Sequence, residues 1–347
     1  MFPSRITSPT PPIPQTEDIF SSALSTLFTD DVQNSHGVPG SHVTYHSRRF
    51  GDIELRIPQH PDVEEGRKLF AHYLWNAGVI CADAVEEASR DDKRAEDRED
   101  GGTRVKWNKS YWDVCGQSVL ELGAGTALPS IISALSGAAS TTITDHPSSP
   151  ALTTGAIEQN VKTNILERDK RKAPNDESTT TVGEVNIFGY TWGTTPMYSP
   201  SSYGKPLPQH QQPTSFTRII IADCLWMPSQ HVNLVKTVLH YLDDSDPGNC
   251  ALVVAGFHTG RETVRNFLEI ATGDYTLLAA KVEEQEDTKG NSESEDTETK
   301  HVAGRLRAAE IFEIDVNGLT RSWEAVREGD SREAAKRWCV VAVLVRR

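Results

Sequence analysis

Apolar residues along the chain fall into short runs that predict a parallel β-sheet with helices between its strands. The runs at 118–122 and 218–223 have the length and unbroken hydrophobicity of strands buried on both faces. Other β-branched or apolar runs predict more core strands at 141–144, 185–190 and 249–255. Helical spacing predicts the connections at 63–85, 128–135, 150–166, 233–242 and 261–271. Strands alternating with helices indicate an α/β, doubly wound sheet.

The two ends of the chain carry additions to this core. Two runs at 42–45 and 50–57 predict a hairpin, because the second alternates apolar and polar residues. Two last runs, 309–316 and 338–345, predict an antiparallel hairpin that closes the sheet edge. The predicted organisation is a mostly disordered leader at 1–40, an N-terminal extension at 41–85, a charged insertion at 86–106, a core domain at 107–347, and insertions within it at 194–217 and 283–303.

Length and charge narrow the classes of protein. The 347 residues suffice for one large α/β domain with additions, and the net charge of −14 disfavours nonspecific binding to nucleic acid. No apolar run reaches the length of a membrane span. The first residues lack a basic stretch followed by an apolar one, so we expect that they are not a secretory signal. Five scattered cysteines without a CxxC pair predict neither disulfides nor a metal site. We expect a monomer in a reducing compartment, the cytoplasm or alternatively the nucleus, without nucleic-acid or membrane partners.

A glycine turn follows the first buried strand. Gly123 and Gly125 lie one residue apart and open an apolar helix, which is the nucleotide corner of a doubly wound sheet. An ordinary strand–helix turn is the alternative, although an acidic residue before two glycines disfavours it. Dinucleotide sites need a third glycine three residues later, where this chain has Leu128. The turn therefore favours a nucleoside without phosphates, such as S-adenosylmethionine, over NAD.

Side chains at the ends of later strands supply candidate contacts. Asp145 ends the second strand, 20 positions after Gly125, where a carboxylate binds ribose hydroxyls; helix capping is the alternative. Trp192 follows the third strand, where its indole either stacks on adenine or covers the core edge. Asp223 ends the fourth strand and faces either a ligand or the N-terminus of the next helix. From composition alone, Trp75 is typical of an aromatic residue in the core.

Taken together, these residues resemble the seven-strand S-adenosylmethionine-dependent methyltransferases and, more narrowly, the family-16 methyltransferase-like proteins. The resemblance runs from about residue 43 to the C-terminus outside the insertions. It implies a Rossmann-like, seven-stranded class I methyltransferase fold, a methyltransferase domain at 107–347 and S-adenosylmethionine as cofactor. The cofactor contacts that it implies are Trp75, Glu121, Gly123, Ala124, Gly125, Asp145, Trp192 and Ala222.

Among the residues expected to contact the methyl acceptor, one differs from the family's motif. The family has Tyr or Phe three residues after the acidic residue that follows the fourth strand, and this chain has Asp223 followed by Trp226. An indole is bulkier than a phenol and lacks its hydroxyl, so the departure bears on the substrate. We expect Asp223 to be the catalytic residue, orienting the acceptor, and Trp226 to line the substrate pocket.

Three functions remain open at this point. The resemblance implies an N-methyltransferase of a protein amine, a lysine or an N-terminus, with a translation factor of the elongation-factor type as one candidate substrate. A small amine or heterocycle, as in nicotinamide N-methylation, is the second reading. A cofactor-binding interaction protein without catalysis is the third, and the intact Asp145 and Asp223 argue against it.

Overall fold

The computed structural model describes residues 2–8, 34–59, 73–90, 105–168, 182–199, 206–274 and 301–347. Its strands are β1 (Ile6–Thr7), β2 (Ser35–His36), β3 (His42–Ser47), β4 (Gly51–Arg56), β5 (Leu74–Trp75), β6 (Ser118–Leu122), β7 (Ser140–Asp145), β8 (Glu184–Tyr190), β9 (Met197–Tyr198), β10 (Arg218–Ala222), β11 (Cys250–Gly256), β12 (Leu306–Asp315), β13 (Thr320–Ser322) and β14 (Trp338–Arg346). Its α-helices are α1 (Asn76–Ala88), α2 (Lys109–Trp112), α3 (Leu128–Leu135), α4 (Pro150–Thr153), α5 (Ala156–Val161), α6 (His231–Tyr241), α7 (Arg261–Thr272) and α8 (Arg332–Ala335).

The central sheet has the strand order of a class I methyltransferase. The order within the described residues is β13-β12-β14-β11-β10-β6-β7-β8-β9. The five strands from β11 to β8 are parallel, and β14 lies antiparallel between β11 and β12. The predicted doubly wound seven-stranded sheet and its closing hairpin are confirmed, with the short β9 and β13 added at the two edges.

Helices cover both faces of the sheet because its central strands are apolar on both sides. In β10, Ile220 packs into one hydrophobic cluster with helices α1 and α3, and Ile221 packs into the opposite cluster with α6 and α7. Both isoleucines are fully buried. This arrangement leaves the carboxyl ends of the parallel strands as the edge where a ligand binds.

The N-terminal hairpin forms as predicted, but the leader before it is not wholly disordered. β3 pairs with β4, and β1 pairs with β3 from the other side. Arg5, only 7% exposed, forms ion pairs with Asp83 and Glu86 of α1. The prediction of disorder over 1–40 is therefore wrong for residues 2–8 and 34–40, which fold against the extension.

Other boundaries shift in ways that local pattern does not reveal. Helix α1 runs to Ala88 and buries Glu86, so the predicted exposed insertion is wrong for its first residues. The helix predicted over 150–166 is broken into α4, α5 and a π-turn at Lys162–Leu166, with Gly155 at φ +69° between the first two. Within the predicted irregular segment 194–217, Met197 is buried in β9.

Several expectations concern residues outside the described ranges. They are the leader at 9–33, the start of the predicted helix at 63–72, the charged insertion at 91–104 and most of the insertion at 283–303. Among the helices that the structure does describe, none is long and apolar enough to cross a membrane.

Candidate active site

Cys224 and Trp192 pack closely against the glycine turn between β6 and α3. Gly123 has φ +68° and Gly125 has φ +54°, which are backbone conformations that residues other than glycine rarely adopt. A Cβ atom at Gly123 would lie 2.8 Å from Cys224 Sγ and 3.1 Å from the Trp192 ring. Gly123 is therefore required both for its backbone angle and for the close approach of these two side chains.

Glu121 joins the last residues of β6 to the first turn of α3. Its Oε2 accepts a hydrogen bond from the Ser130 N–H at 3.1 Å, and the side chain is 2% exposed. The N–H groups of a helix's first turn lack partners within the helix, which favours a carboxylate there. Burial nevertheless dominates and raises the pKa of Glu121 to about 8. At neutral pH, the glutamate therefore carries a proton in most molecules.

Asp145 ends β7 beside the glycine turn. Its Oδ2 accepts the Gly125 N–H at 2.8 Å and its Oδ1 accepts the His146 N–H at 2.8 Å. The residue is 6% exposed, and burial raises its pKa, while these hydrogen bonds and one from the Ser149 side chain oppose the rise. The carboxylate thus holds the turn in place while it lines the cavity.

Asp223 follows β10 in a backbone conformation that few residues adopt. Its φ is +59°, which Asp and Asn tolerate better than other side chains. Its N–H donates to Val254 O at 2.8 Å, and its Oδ1 accepts the Gly256 N–H at 3.0 Å. Both partners lie at the end of the neighbouring β11, so the two strand ends fix the carboxylate. Burial raises its pKa, and His258 nearby acts against the rise.

One cavity of about 220 Å³ collects the side chains singled out in the sequence. It lies at the carboxyl ends of the parallel strands, where a doubly wound sheet binds its ligands. The ten predicted site residues all line it: Trp75, Glu121, Gly123, Ala124, Gly125, Asp145, Trp192, Ala222, Asp223 and Trp226. Their individual roles remain predictions, since proximity to a cavity does not assign them.

Related sequences lead to the family of this chain. A family profile described as lysine methyltransferase matches residues 55–173. The protein N-terminal and lysine N-methyltransferase EFM7 of Candida glabrata is 30% identical over 244 residues, which cover 69% of this chain and 75% of that protein. This chain belongs to the family-16 lysine methyltransferases. Membership confirms the family resemblance that the sequence motifs predicted.

Two more family-16 relatives bear the same name and match over a shorter part of their length. EFM7 of Kluyveromyces lactis is 32% identical over 212 residues, 60% of this chain and 63% of that protein. EFM7 of Gibberella zeae is 30% identical over 174 residues, 48% of this chain and 51% of that protein. The chain thus spans between about half and two thirds of the length of these two relatives.

Some residues of this family-16 site were not predicted. Thr126 and Pro129 line the cavity directly after the glycine turn, and Met227 and Gln230 line it after Trp226. Their positions next to predicted residues are a signal that could have identified them. His258 is different, because nothing around it in sequence marks it; only the pairing of β11 with β10 brings it to Asp223.

Proposed function

We propose that this chain transfers a methyl group from S-adenosylmethionine to an amine of a protein, either a lysine side chain or an N-terminal amine. The observation that carries the proposal is the carboxylate of Asp223, whose side chain is only 7% exposed, on the wall of the same cavity as the glycine turn and Asp145. The names of the family-16 relatives, which are protein N-terminal and lysine N-methyltransferases, support a protein as acceptor.

The cavity's polar groups suit an adenosyl group. A carboxylate offers about four lone-pair positions. Gly125, His146 and Ser149 donate to Asp145 and occupy three of them, which leaves one for a ribose hydroxyl. Trp192 lies against Gly123, where an indole can stack on a nucleobase ring. We assign Asp145 to the ribose and Trp192 to the adenine on these contacts.

The charges of the cavity favour a cationic cofactor over a dinucleotide. Asp145 and Asp223 line it beside the largely protonated Glu121, whereas none of the lining residues that the structure describes is Lys or Arg. A pyrophosphate would therefore lack a positive counter-charge among these residues. S-Adenosylmethionine carries a sulfonium and an ammonium group, which carboxyl groups can stabilise.

Methyl transfer asks mainly for positioning from the protein. The sulfonium of the bound cofactor supplies an already activated methyl carbon. An amine acceptor must present a free lone pair, and a lysine amine is protonated at neutral pH. Asp223 can accept a hydrogen bond from the acceptor nitrogen, aim its lone pair and favour loss of its proton. The cavity walls exclude water and so strengthen this interaction.

Trp226 lies three residues after Asp223 and lines the same cavity. An indole face attracts a cationic or methylated ammonium group. We propose that it forms the wall along which the acceptor amine enters, with Asp223 at the end of that path. Replacement of the family's Tyr or Phe by Trp would then change the width of the path rather than the reaction.

The acceptor that we favour is a basic protein. The net charge of −14 attracts a positively charged partner, and a translation factor is the candidate that the resemblance names. No contact in the described part of the structure favours a small heterocycle such as nicotinamide.

Methyl-labelled S-adenosylmethionine and a fungal lysate test the proposal. The protein is incubated with both, and the label is followed into protein bands and into small molecules. We expect a labelled protein band that disappears when the protein is omitted. Label confined to small molecules, with cofactor-bound protein present, would refute a protein acceptor.

A further inference from the structure

His258 lies directly behind two walls of the cavity. It belongs to the turn Phe257–Thr259 that follows β11. Its Nδ1 is 3.9 Å from Asp223 Oδ1, and its ring stacks on Trp75 with the centroids 4.8 Å apart and the planes at 15°. Its side chain keeps 19% of its surface exposed, against 7% for Asp223. The imidazole therefore connects a buried carboxylate of the site with solvent.

Gly256 makes room for this approach. Its φ is −76°, which any residue can adopt, so the backbone does not require glycine. A Cβ atom there would lie 2.9 Å from His258 Nδ1 and 3.7 Å from Asp223 Oδ1. A side chain at this position would thus push the imidazole away from the carboxylate. The glycine is needed for the space between these two groups.

Asp223 retains an oxygen for the acceptor. Oδ1 accepts the Gly256 N–H and is the atom near His258. Within the described ranges, no hydrogen-bond donor reaches Oδ2. One oxygen is therefore oriented by β11 and the imidazole, and the other is available on the cavity side.

We propose that His258 is a positioning residue that pairs with Asp223 and carries to solvent the proton that the amine acceptor loses. The inference rests on the function proposed above. It adds a route for the proton, which a carboxylate 7% exposed cannot itself supply. Closing the 3.9 Å gap to hydrogen-bond distance takes a movement of about 1 Å, and such contacts commonly tighten when substrate binds.

The protons and electrons balance without another reactant. The acceptor ammonium gives one proton to Oδ2 of Asp223. Rotation of the protonated carboxyl group brings that oxygen to His258, whose Nδ1 takes the proton while Nε2 releases its own proton to water. The freed nitrogen lone pair forms the new N–C bond while the C–S bond of the sulfonium breaks, leaving its electron pair on sulfur. The products are a methylated ammonium, a neutral thioether and one proton in solvent.

Two substitutions separate proton transfer from packing. His258→Phe retains an aromatic ring to stack on Trp75 but has no nitrogen. We expect its kcat to fall roughly 10- to 100-fold, with KM and Kd for S-adenosylmethionine near those of the wild type. His240→Phe, which replaces an exposed histidine of α6 beside Tyr241, is the control and should retain wild-type kcat.

Rescue by free imidazole gives the decisive readout. His258→Ala leaves a gap beside Asp223, and added imidazole should restore much of its kcat, whereas a purely structural role would not respond. Labelled S-adenosylmethionine and the fungal lysate serve as substrates, with His258→Gln as a second variant in case the alanine variant does not fold. A kcat of His258→Phe within about two-fold of the wild type, or no response to imidazole by folded His258→Ala, would overturn the inference. An inactive wild type would instead refute the proposed function.

Discussion

Gly123 is where backbone angle and packing impose the strictest condition on the cavity. Gly123→Ala forces a φ of +68° on a residue with a Cβ and places that atom 2.8 Å from Cys224 Sγ. We expect a loss of stability of about 1–3 kcal/mol and at least a roughly tenfold weaker Kd for S-adenosylmethionine, because Trp192 and Cys224 must move. Urea unfolding and calorimetry measure the two effects.

Gly116→Ala is the matched control for that substitution. Gly116 has φ +72°, but a Cβ there would meet nothing within 4 Å. It should cost about 1 kcal/mol of stability and leave cofactor affinity unchanged, since only the backbone strain remains. Equal cofactor affinities for the two variants would contradict a close-approach role for Gly123.

Glu121 gives the free protein a predictable pH dependence. Its pKa is about 8 when folded and close to 4.5 when unfolded, so the folded state binds more protons between these values. Its contribution to stability is complete below about pH 4.5 and is lost as the pH rises through 8. Glu121→Gln should therefore gain stability relative to the wild type between pH 5.5 and 8.5.

Melting temperatures of the cofactor-free protein across that range check this prediction. The wild type should lose several degrees more than Glu121→Gln, since about 1 kcal/mol corresponds to roughly 2–4 °C in a protein of this size. Glu184→Gln, which replaces an exposed glutamate at the start of β8, should follow the wild type. Parallel curves for the wild type and Glu121→Gln would refute a buried, protonated Glu121.

Residues at the carboxyl ends of strands were predictable, whereas their partners from other strands were not. Asp145 ends a β-branched run and Asp223 ends an apolar run, so the sequence places both at the ligand edge of the sheet. His258 reaches Asp223 only because β11 pairs with β10, a contact between residues 35 positions apart. No local pattern carries that information.

Arg5 connects the N-terminal segment to helix α1 through two ion pairs. Arg5 pairs with Asp83 and Glu86, and its guanidinium lies 4.4 Å from the centre of the Tyr45 ring. Arg5→Ala leaves two buried carboxylates short of their counter-charge. We expect a loss of about 3–5 kcal/mol in the free energy of unfolding, because an unpaired buried charge is costly.

A second arginine, in the turn between β3 and β4, provides the comparison. Arg48 also approaches Asp83, at 3.4 Å, but its side chain is 37% exposed. Arg48→Ala should therefore cost only about 0–1 kcal/mol in urea unfolding. Similar losses in the free energy of unfolding for the two arginine variants would show that the contribution of the Arg5 ion pairs does not depend on their burial.

The two errors in the N-terminal region share one physical cause. Residues 2–8 lack the hydrophobic periodicity of a strand, and Glu86 opens a run of charged residues, so both read as exposed. In the fold, each supplies the charge that neutralises the other across 81 positions of sequence. The pattern of apolar and polar residues depends only on neighbours in sequence, so it does not predict buried ion pairs between distant segments.

The molecule as a whole was largely predictable because its core is a parallel sheet. Strands buried on both faces form unbroken apolar runs, which give both their positions and their alternation with helices. The resemblance to seven-strand methyltransferases then implied a seven-stranded sheet, and the antiparallel pair β12 and β14 is the closing hairpin that the last two apolar runs predicted. The site residues follow, because this topology brings the ends of β6, β7, β10 and β11 to one edge.

Peptide mass spectrometry of a protein acceptor treated with the wild type and with Asp223→Asn tests the central claim most directly. Asparagine tolerates the positive φ of Asp223 and can still accept the Gly256 N–H, so the fold and cofactor binding should persist. We expect the wild type to add methyl groups to a lysine or an N-terminal amine, and Asp223→Asn to do so about 100-fold more slowly at an unchanged Kd for S-adenosylmethionine. Absence of methyl groups on any protein amine, or equal rates for the two proteins, would contradict the account.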